Sequence, residues 1–195
     1  MKQLDHDTIQ TGLISPVLME RAALAVLREI IAAKYDLSDV VVLAGCGNNG
    51  GDGVCVARLL CEANMADRTK EKRSSEVLVL GTPDEDSECH RQIEIAKRYG
   101  VIITYTDPLG ATAYLKTRKC SLLLDALFGI GFHGPLSEDY VTLFDTIDRS
   151  AIPVVAVDIP SGVNAFTGEA LRAVKADMTV TFGAYKIGQF LYPGA

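Results

Sequence analysis

The sequence has no C-x-x-C spacing of the kind that serves zinc or thiol redox chemistry, although it holds five cysteines, Cys46, Cys55, Cys61, Cys89 and Cys120. An odd number of dispersed thiols points to a reducing cytoplasm rather than a disulfide framework. Long apolar runs are missing as well. Asp125 and His133 interrupt the longest candidate before it reaches the ~18 residues a transmembrane helix needs. The opening MKQLDHDTIQ carries acids and has no apolar centre, so it does not read as a signal peptide. Positive charge is in deficit, with 19 Lys and Arg against 25 Asp and Glu and a formal net charge of -6. A surface of that sign repels nucleic acid and anionic lipid, so neither nucleic acid nor membrane is expected as a partner. The P-loop pattern G-x-x-x-x-G-K-[ST] and the nucleophile elbow G-x-S-x-G are both absent, which argues against ordinary nucleotide hydrolysis and a serine triad.

What is present suits one soluble domain across residues 1–195, with 48% hydrophobic and 23% charged residues and no internal repeat. Apolar side chains at helical spacing mark a first helix over 18–35. Short runs rich in β-branched residues then mark strands at about 40–44, 76–81, 101–106, 121–126, 153–158 and 178–183. Helical segments at 53–63, 87–99, 108–117 and 137–149 separate most of them. Continuous apolar strands alternating with helices predict an α/β fold, doubly wound, with a parallel sheet covered on both faces. The charged stretch ADRTKEKRSSE at 66–76 reads as a solvated loop because acids interrupt its basic residues. The closing KIGQFLYPGA ends where a terminal strand or a further domain could follow.

In an open parallel sheet, ligands bind beyond the carboxyl ends of the strands, where the strand order reverses. Three strand ends here carry an acid or amide followed by a glycine turn. The first is GCGNNGGDG at 45–53, with Asn48, Asn49 and Asp52; the second is Asp125 followed by FGIGFHGPL; the third is Asp158 followed by IPSGVNAFTGE. A strand order of 3-2-1-4-5 would line all three turns along one crevice. Helix capping and tight turns use the same residue types, so each turn alone is ambiguous. Asp125 and Asp158 are less so, because a lone charge at the end of an apolar strand is costly to bury.

The chemistry available follows from these residue types. Backbone amides at Gly50, Gly51 and Gly53, and at Gly129, Gly131 and Gly134, suit phosphate. Asn49, Asp125 and Ser161 offer oxygen ligands that suit a hard cation. Asp158 remains as a carboxylate able to move a proton, with Asp52 as an assistant. Cys46 reads as a small turn residue or a reactive thiol, Lys186 as a phosphate contact or a snorkelling side chain, and His133 as an exposed loop residue or a ligand contact.

The motifs GxGNNGGDG, DALFGxG, VDIPSGV and TFGxxK together resemble the NAD(P)H-hydrate epimerase family, also called the YjeF N-terminal domain family, across nearly the whole chain from 14–23 to 186–194. The resemblance implies a Rossmann-like three-layer fold, usually dimeric, that interconverts the R and S hydrates of damaged NADH and NADPH ahead of a dehydratase. It places substrate contacts on Asn48, Asn49, Gly50, Gly51 and Asp52, on Gly129, Ile130, Gly131, Phe132, His133, Gly134 and Pro135, and on Asp158. It places potassium ligands on Asn49, Asp125 and Ser161. The chain departs from the family pattern at Cys46, His133, Asn164 and Phe166, beside the core motifs. Two other readings stay open. One is a non-catalytic binding or scaffold domain of the same fold. The other is a redox enzyme using intact NAD, although Asp84 and Glu85 come later than the acid expected about 20 residues past the glycines.

Overall fold

Among the described residues, six parallel strands form a single sheet in the order β3-β2-β1-β4-β5-β6. They are β1 (Asp39–Ala44), β2 (Ser74–Leu80), β3 (Ile102–Thr106), β4 (Leu122–Ala126), β5 (Val154–Val157) and β6 (Met178–Val180). The computed structural model describes residues 11–66 and 74–191. Among the described residues, five α-helices accompany the sheet: α1 (Ser15–Ala32), α2 (Asn48–Ala66), α3 (Glu88–Arg98), α4 (Pro108–Thr117) and α5 (Glu138–Arg149). Alternate residues of each strand face opposite sides, which splits the core in two. Val40, Val42 and Ala44 of β1 pack with Val26, Leu60 and Ile93 of α1, α2 and α3. Val41 and Leu43 pack on the other side with Leu115 of α4 and Phe144 of α5. The result is a three-layer α/β/α sandwich, as expected.

The order reverses between β1 and β4, which are hydrogen-bonded neighbours. That is the switch point at which the crevice was expected, and β5 lies directly beside β4. Two helix starts are fixed by side-chain caps. Ser87 Oγ accepts from His90 N at 3.1 Å and Asp107 Oδ1 accepts from Gly110 N at 2.7 Å.

The boundaries depart from expectation in informative places. The first helix runs Ser15–Ala32 rather than 18–35. Proline is tolerated in its first turn, and Lys34, at φ 61°, has already left the helix. The second helix begins at Asn48 rather than 53, so two thirds of the glycine-rich turn at 45–53 is itself helical. Glycine disfavours helix locally, but tertiary packing overrides that preference here. β2 starts at Ser74, inside the stretch read as a loop; residues 67–73 of that stretch lie outside the described residues, as do 1–10 and 192–195. The last expected strand shortens to Met178–Val180, and a 3-10 turn at Ile187–Gln189 follows.

Candidate functional site at the switch point

The turns after β1 and β4 are pressed together, and glycine makes this possible. A Cβ on Gly45 would fall 2.1 Å from the Leu127 carbonyl oxygen, and one on Gly53 would fall 2.5 Å from Ala126 Cβ. Within the first turn itself, a Cβ on Gly50 would fall 1.9 Å from the Gly45 carbonyl oxygen. Across the gap, a Cβ on Gly129 would come 3.1 Å from Asn49 Cβ. Glycine at these positions therefore lets the backbones approach. The helical ladder of α2 begins with Gly51 N donating to the Gly47 carbonyl at 3.1 Å, and the amides ahead of it have no acceptor within the helix. Such an end attracts anions through both the free N–H groups and the helix dipole.

A hydrogen-bond chain then links the three turns. Asn49 Nδ2 donates to the Phe128 carbonyl at 3.0 Å, and Phe128 N donates to Ser161 Oγ at 2.9 Å. Ser161 Oγ donates to Asp125 Oδ1 at 2.6 Å, while Ser161 N donates to Asp125 Oδ2 at 2.8 Å. The three residues expected to bind a cation are thus gathered around the backbone of Phe128. Asp125 and Ser161 are fully buried, and Asn49 nearly so. Burial lifts the Asp125 carboxyl to about 6, against hydrogen bonds from Ser161 and Leu127 that pull it down. Asn49 Oδ1 is a buried acceptor with no donor among the described residues. A carbonyl oxygen left so is costly unless something positive approaches it. Among the described residues no three His, Cys, Asp or Glu side chains cluster in a way that would hold a metal. The donor set at the switch point is instead amide, hydroxyl, carboxylate and backbone carbonyl, the chemistry of a hard cation.

Asp158 stands apart from that chain, just beyond β5. Its φ of 69° lies in the left-handed region, where a non-glycine residue is held only by its surroundings. Its Oδ1 accepts from Lys186 Nζ in a close ion pair, from Phe182 N at 3.3 Å and from Thr181 Oγ1 at 3.4 Å. No donor reaches Oδ2 among the described residues. Lys186 is 6% exposed, so it is neither the free phosphate contact nor the snorkelling side chain expected of it. Sequence reasoning missed this pairing, as it missed the role of the Phe128 backbone.

The remaining candidates divide by exposure. Asn48 is exposed and Asp52 half-buried at the start of α2. The loop at 129–135 turns through a hydrogen bond from Phe132 N to Gly129 O at 3.0 Å. Ile130 and Phe132 are half-buried, and Phe132 stacks on Phe128 with ring centroids 4.8 Å apart. Gly131, His133, Gly134 and Pro135 are exposed. His133 lies against Phe166, with ring centroids 6.3 Å apart, and so joins the loops after β4 and β5. Cys46 donates from Sγ to the Leu80 carbonyl at 3.3 Å, and burial pushes its thiol up from the usual range, as befits a turn residue rather than a thiolate.

The model of the family described as YjeF-related protein N-terminus matches residues 15–188. The chain belongs to that family. Other YjeF-related proteins are similar over nearly its whole length. The NAD(P)H-hydrate epimerase of Weissella koreensis is 40% identical, over 96% of this chain and 80% of its own length. That of Limosilactobacillus reuteri is 43% identical, over 96% of this chain and 84% of its own. The crystal structure of the yeast protein ynu0 superposes with a TM-score of 0.80 at 23% identity, covering 97% of this chain and 80% of that one, and so shares the fold.

Proposed function

We propose that the protein is an NAD(P)H-hydrate epimerase, an isomerase that interconverts the R and S epimers of NADHX and NADPHX in nicotinamide nucleotide repair. The observation that carries this reading is identity of 40% or more to proteins of that name in a chain that keeps Asn49, Asp125, Asp158 and Ser161 at the carboxyl ends of the neighbouring strands β1, β4 and β5. The amides that open α2 ahead of Gly51 and the loop at 129–135 supply donors for the diphosphate, with Asn48 and Asp52 beside it. Asp158 is the general acid/base. Its Oδ1 is committed to three donors, so Oδ2 is the oxygen that exchanges a proton with the hydroxyl on C6 of the nicotinamide ring. As that proton leaves, the C6–N1 bond breaks, its electron pair passes to N1 and the conjugated carboxamide, and C6 becomes an aldehyde. N1 then adds to the opposite face of the aldehyde, and Asp158 returns the proton to the oxygen. Loss and return of water through an iminium ion would use the same carboxyl, acting first as the acid.

Asn49, Asp125 and Ser161 fit a potassium ion, because among the described residues neither the orphaned Asn49 Oδ1 nor the buried Asp125 carboxylate has a positive partner. When bound, the ion supplies charge that lets Asp125 stay ionised and ties the three turns together. At a potassium concentration ~100 times its Kd, the fold should gain about 2.7 kcal/mol. Thermal melts in potassium chloride against choline chloride of equal ionic strength measure this. Asn49→Leu should abolish the difference, and an unmodified protein that melts identically in both salts would contradict the potassium assignment.

The working unit is a homodimer on this reading. The support is a row of exposed apolar side chains, Ile14, Val17, Leu24 and Ile31, along the start and outer face of α1. Light scattering should give twice the 21.0 kDa chain mass, and a monomeric mass contradicts it. The five free cysteines suit the reducing cytoplasm, where a dehydratase specific for one epimer would draw on the product. That coupling gives the functional test. With a mixed-epimer NADHX preparation and such a dehydratase, the protein should accelerate consumption of the residual epimer. No acceleration would reject the proposal.

A further inference from the structure

Asp158 is gripped from two sides by the segment that follows β6. Lys186 Nζ reaches the side chain at Oδ1, and Gln189 Nε2 donates to the Asp158 main-chain carbonyl at 2.9 Å. Asp158 N meanwhile donates to the Val180 carbonyl at 2.8 Å. The backbone on both sides of the Asp158 Cα and one carboxylate oxygen are therefore all fixed, which is what a residue at φ 69° requires.

The ammonium of Lys186 has no proton to spare for a ligand. Besides Asp158 it donates to Thr181 Oγ1 at 2.7 Å and to the Phe182 carbonyl at 3.0 Å, which uses all three N–H bonds. The gripping turn is itself anchored. Lys186 N donates to Gln189 Oε1 at 2.9 Å, and Gly188 N donates to the Ala165 carbonyl at 2.9 Å. A Cβ on Gly188 would fall 2.1 Å from the Asn164 carbonyl oxygen, so the turn packs directly on the loop after β5.

We propose that Lys186 and Gln189 are positioning residues for proton transfer by Asp158. Lys186 neutralises the buried carboxylate and occupies Oδ1, so that Oδ2 alone exchanges the substrate proton. Gln189 holds the peptide that aims it. Neither touches substrate. The inference deepens the epimerase reading and depends on Asp158 being the proton-transfer group.

The test is steady-state epimerisation of NADHX by variants at these two positions. Lys186→Met should lower kcat by about 100-fold while leaving KM close to that of the unmodified protein, as loss of an interaction felt in the transition state would. Gln189→Leu should show the same split with a smaller loss. Lys186→Ala leaves a gap the shape of propylamine, so propylammonium should restore at least about tenfold of the lost kcat by supplying the missing charge to the carboxylate. Propanol, which fills the gap without charge, should not. If Lys186→Met is insoluble, the Ala variant and Gln189→Leu carry the test.

An unchanged kcat in Lys186→Met, a raised KM at normal kcat, or equal rescue by propanol would each overturn the proposal. The two levels separate cleanly. Asp158→Asn that keeps its turnover removes the acid/base assignment itself, whereas an inactive Asp158→Asn beside a normal Lys186→Met removes only the positioning role.

Discussion

Asp158→Asn should lower epimerisation by about 10²- to 10⁴-fold, the range that a positioned general acid/base contributes. Several features make this a clean substitution. Asparagine keeps the volume of aspartate and also tolerates the left-handed backbone that Asp158 adopts, so the φ of 69° is no barrier. The carboxamide oxygen can still accept from Phe182 N and Thr181 Oγ1. What disappears is the basic oxygen. Substrate affinity should persist, because the amides at the start of α2 and the loop at 129–135 are untouched. A melting curve has to accompany the kinetics. Removing one partner of a buried ion pair commonly costs about 3–5 kcal/mol, and Lys186 would be left buried with a charge. A folded variant that still turns over within tenfold of the unmodified protein would contradict the role.

Gly50→Ala should damage both stability and binding, for a different reason. The added methyl would fall 1.9 Å from the Gly45 carbonyl oxygen and close to the Gly45 amide, which are backbone atoms and cannot swing aside. Either the first turn of α2 unwinds or the turn after β1 moves away from Leu127. Forcing such overpacking costs about 1–3 kcal/mol. More important for function, it displaces the amides proposed to bind the substrate, so KM should rise at least about tenfold, the equivalent of about 1.4 kcal/mol of binding. Gly47→Ala is the control, since a Cβ there meets nothing within 4 Å. It should leave melting temperature and KM almost unchanged. Equal effects at the two positions would mean that the contact with Gly45 does not decide the turn.

The sheet was legible because its strands are buried on both faces. SLLLDA and PVVAVD read as strands through continuous apolar character, and β4 and β5 occupy them almost residue for residue. Helix α4 matched its expected span because proline at its first position and Asp107 as its cap are local signals. The start of α2 was not legible. Asn48 to Gly53 has the composition of a turn, and the close approach of Gly50 to Gly45 that favours helix there becomes visible only once the chain is folded.

The candidate site divides in the same way. Asn49, Asp125 and Ser161 could be grouped from the sequence because each lies at or just beyond the end of a strand, and the strand order then fixes which ends are neighbours. Phe128 could not, since its contribution comes from its backbone N–H and carbonyl, which any side chain would leave in place. Lys186 could be noticed but not interpreted. Its partner lies 28 residues away, and the three residues of β6 that bring them together form the shortest strand of the sheet.

The central claim is that this chain alone inverts C6 of hydrated NADH. The most direct measurement starts from one purified epimer of NADHX, with no dehydratase present, and follows the second epimer by chromatography. The account predicts that the protein brings either epimer to the same mixture, far faster than buffer does, and that Asp158→Asn leaves the starting epimer at the buffer rate. A single epimer that persists unchanged with folded, unmodified protein would contradict it.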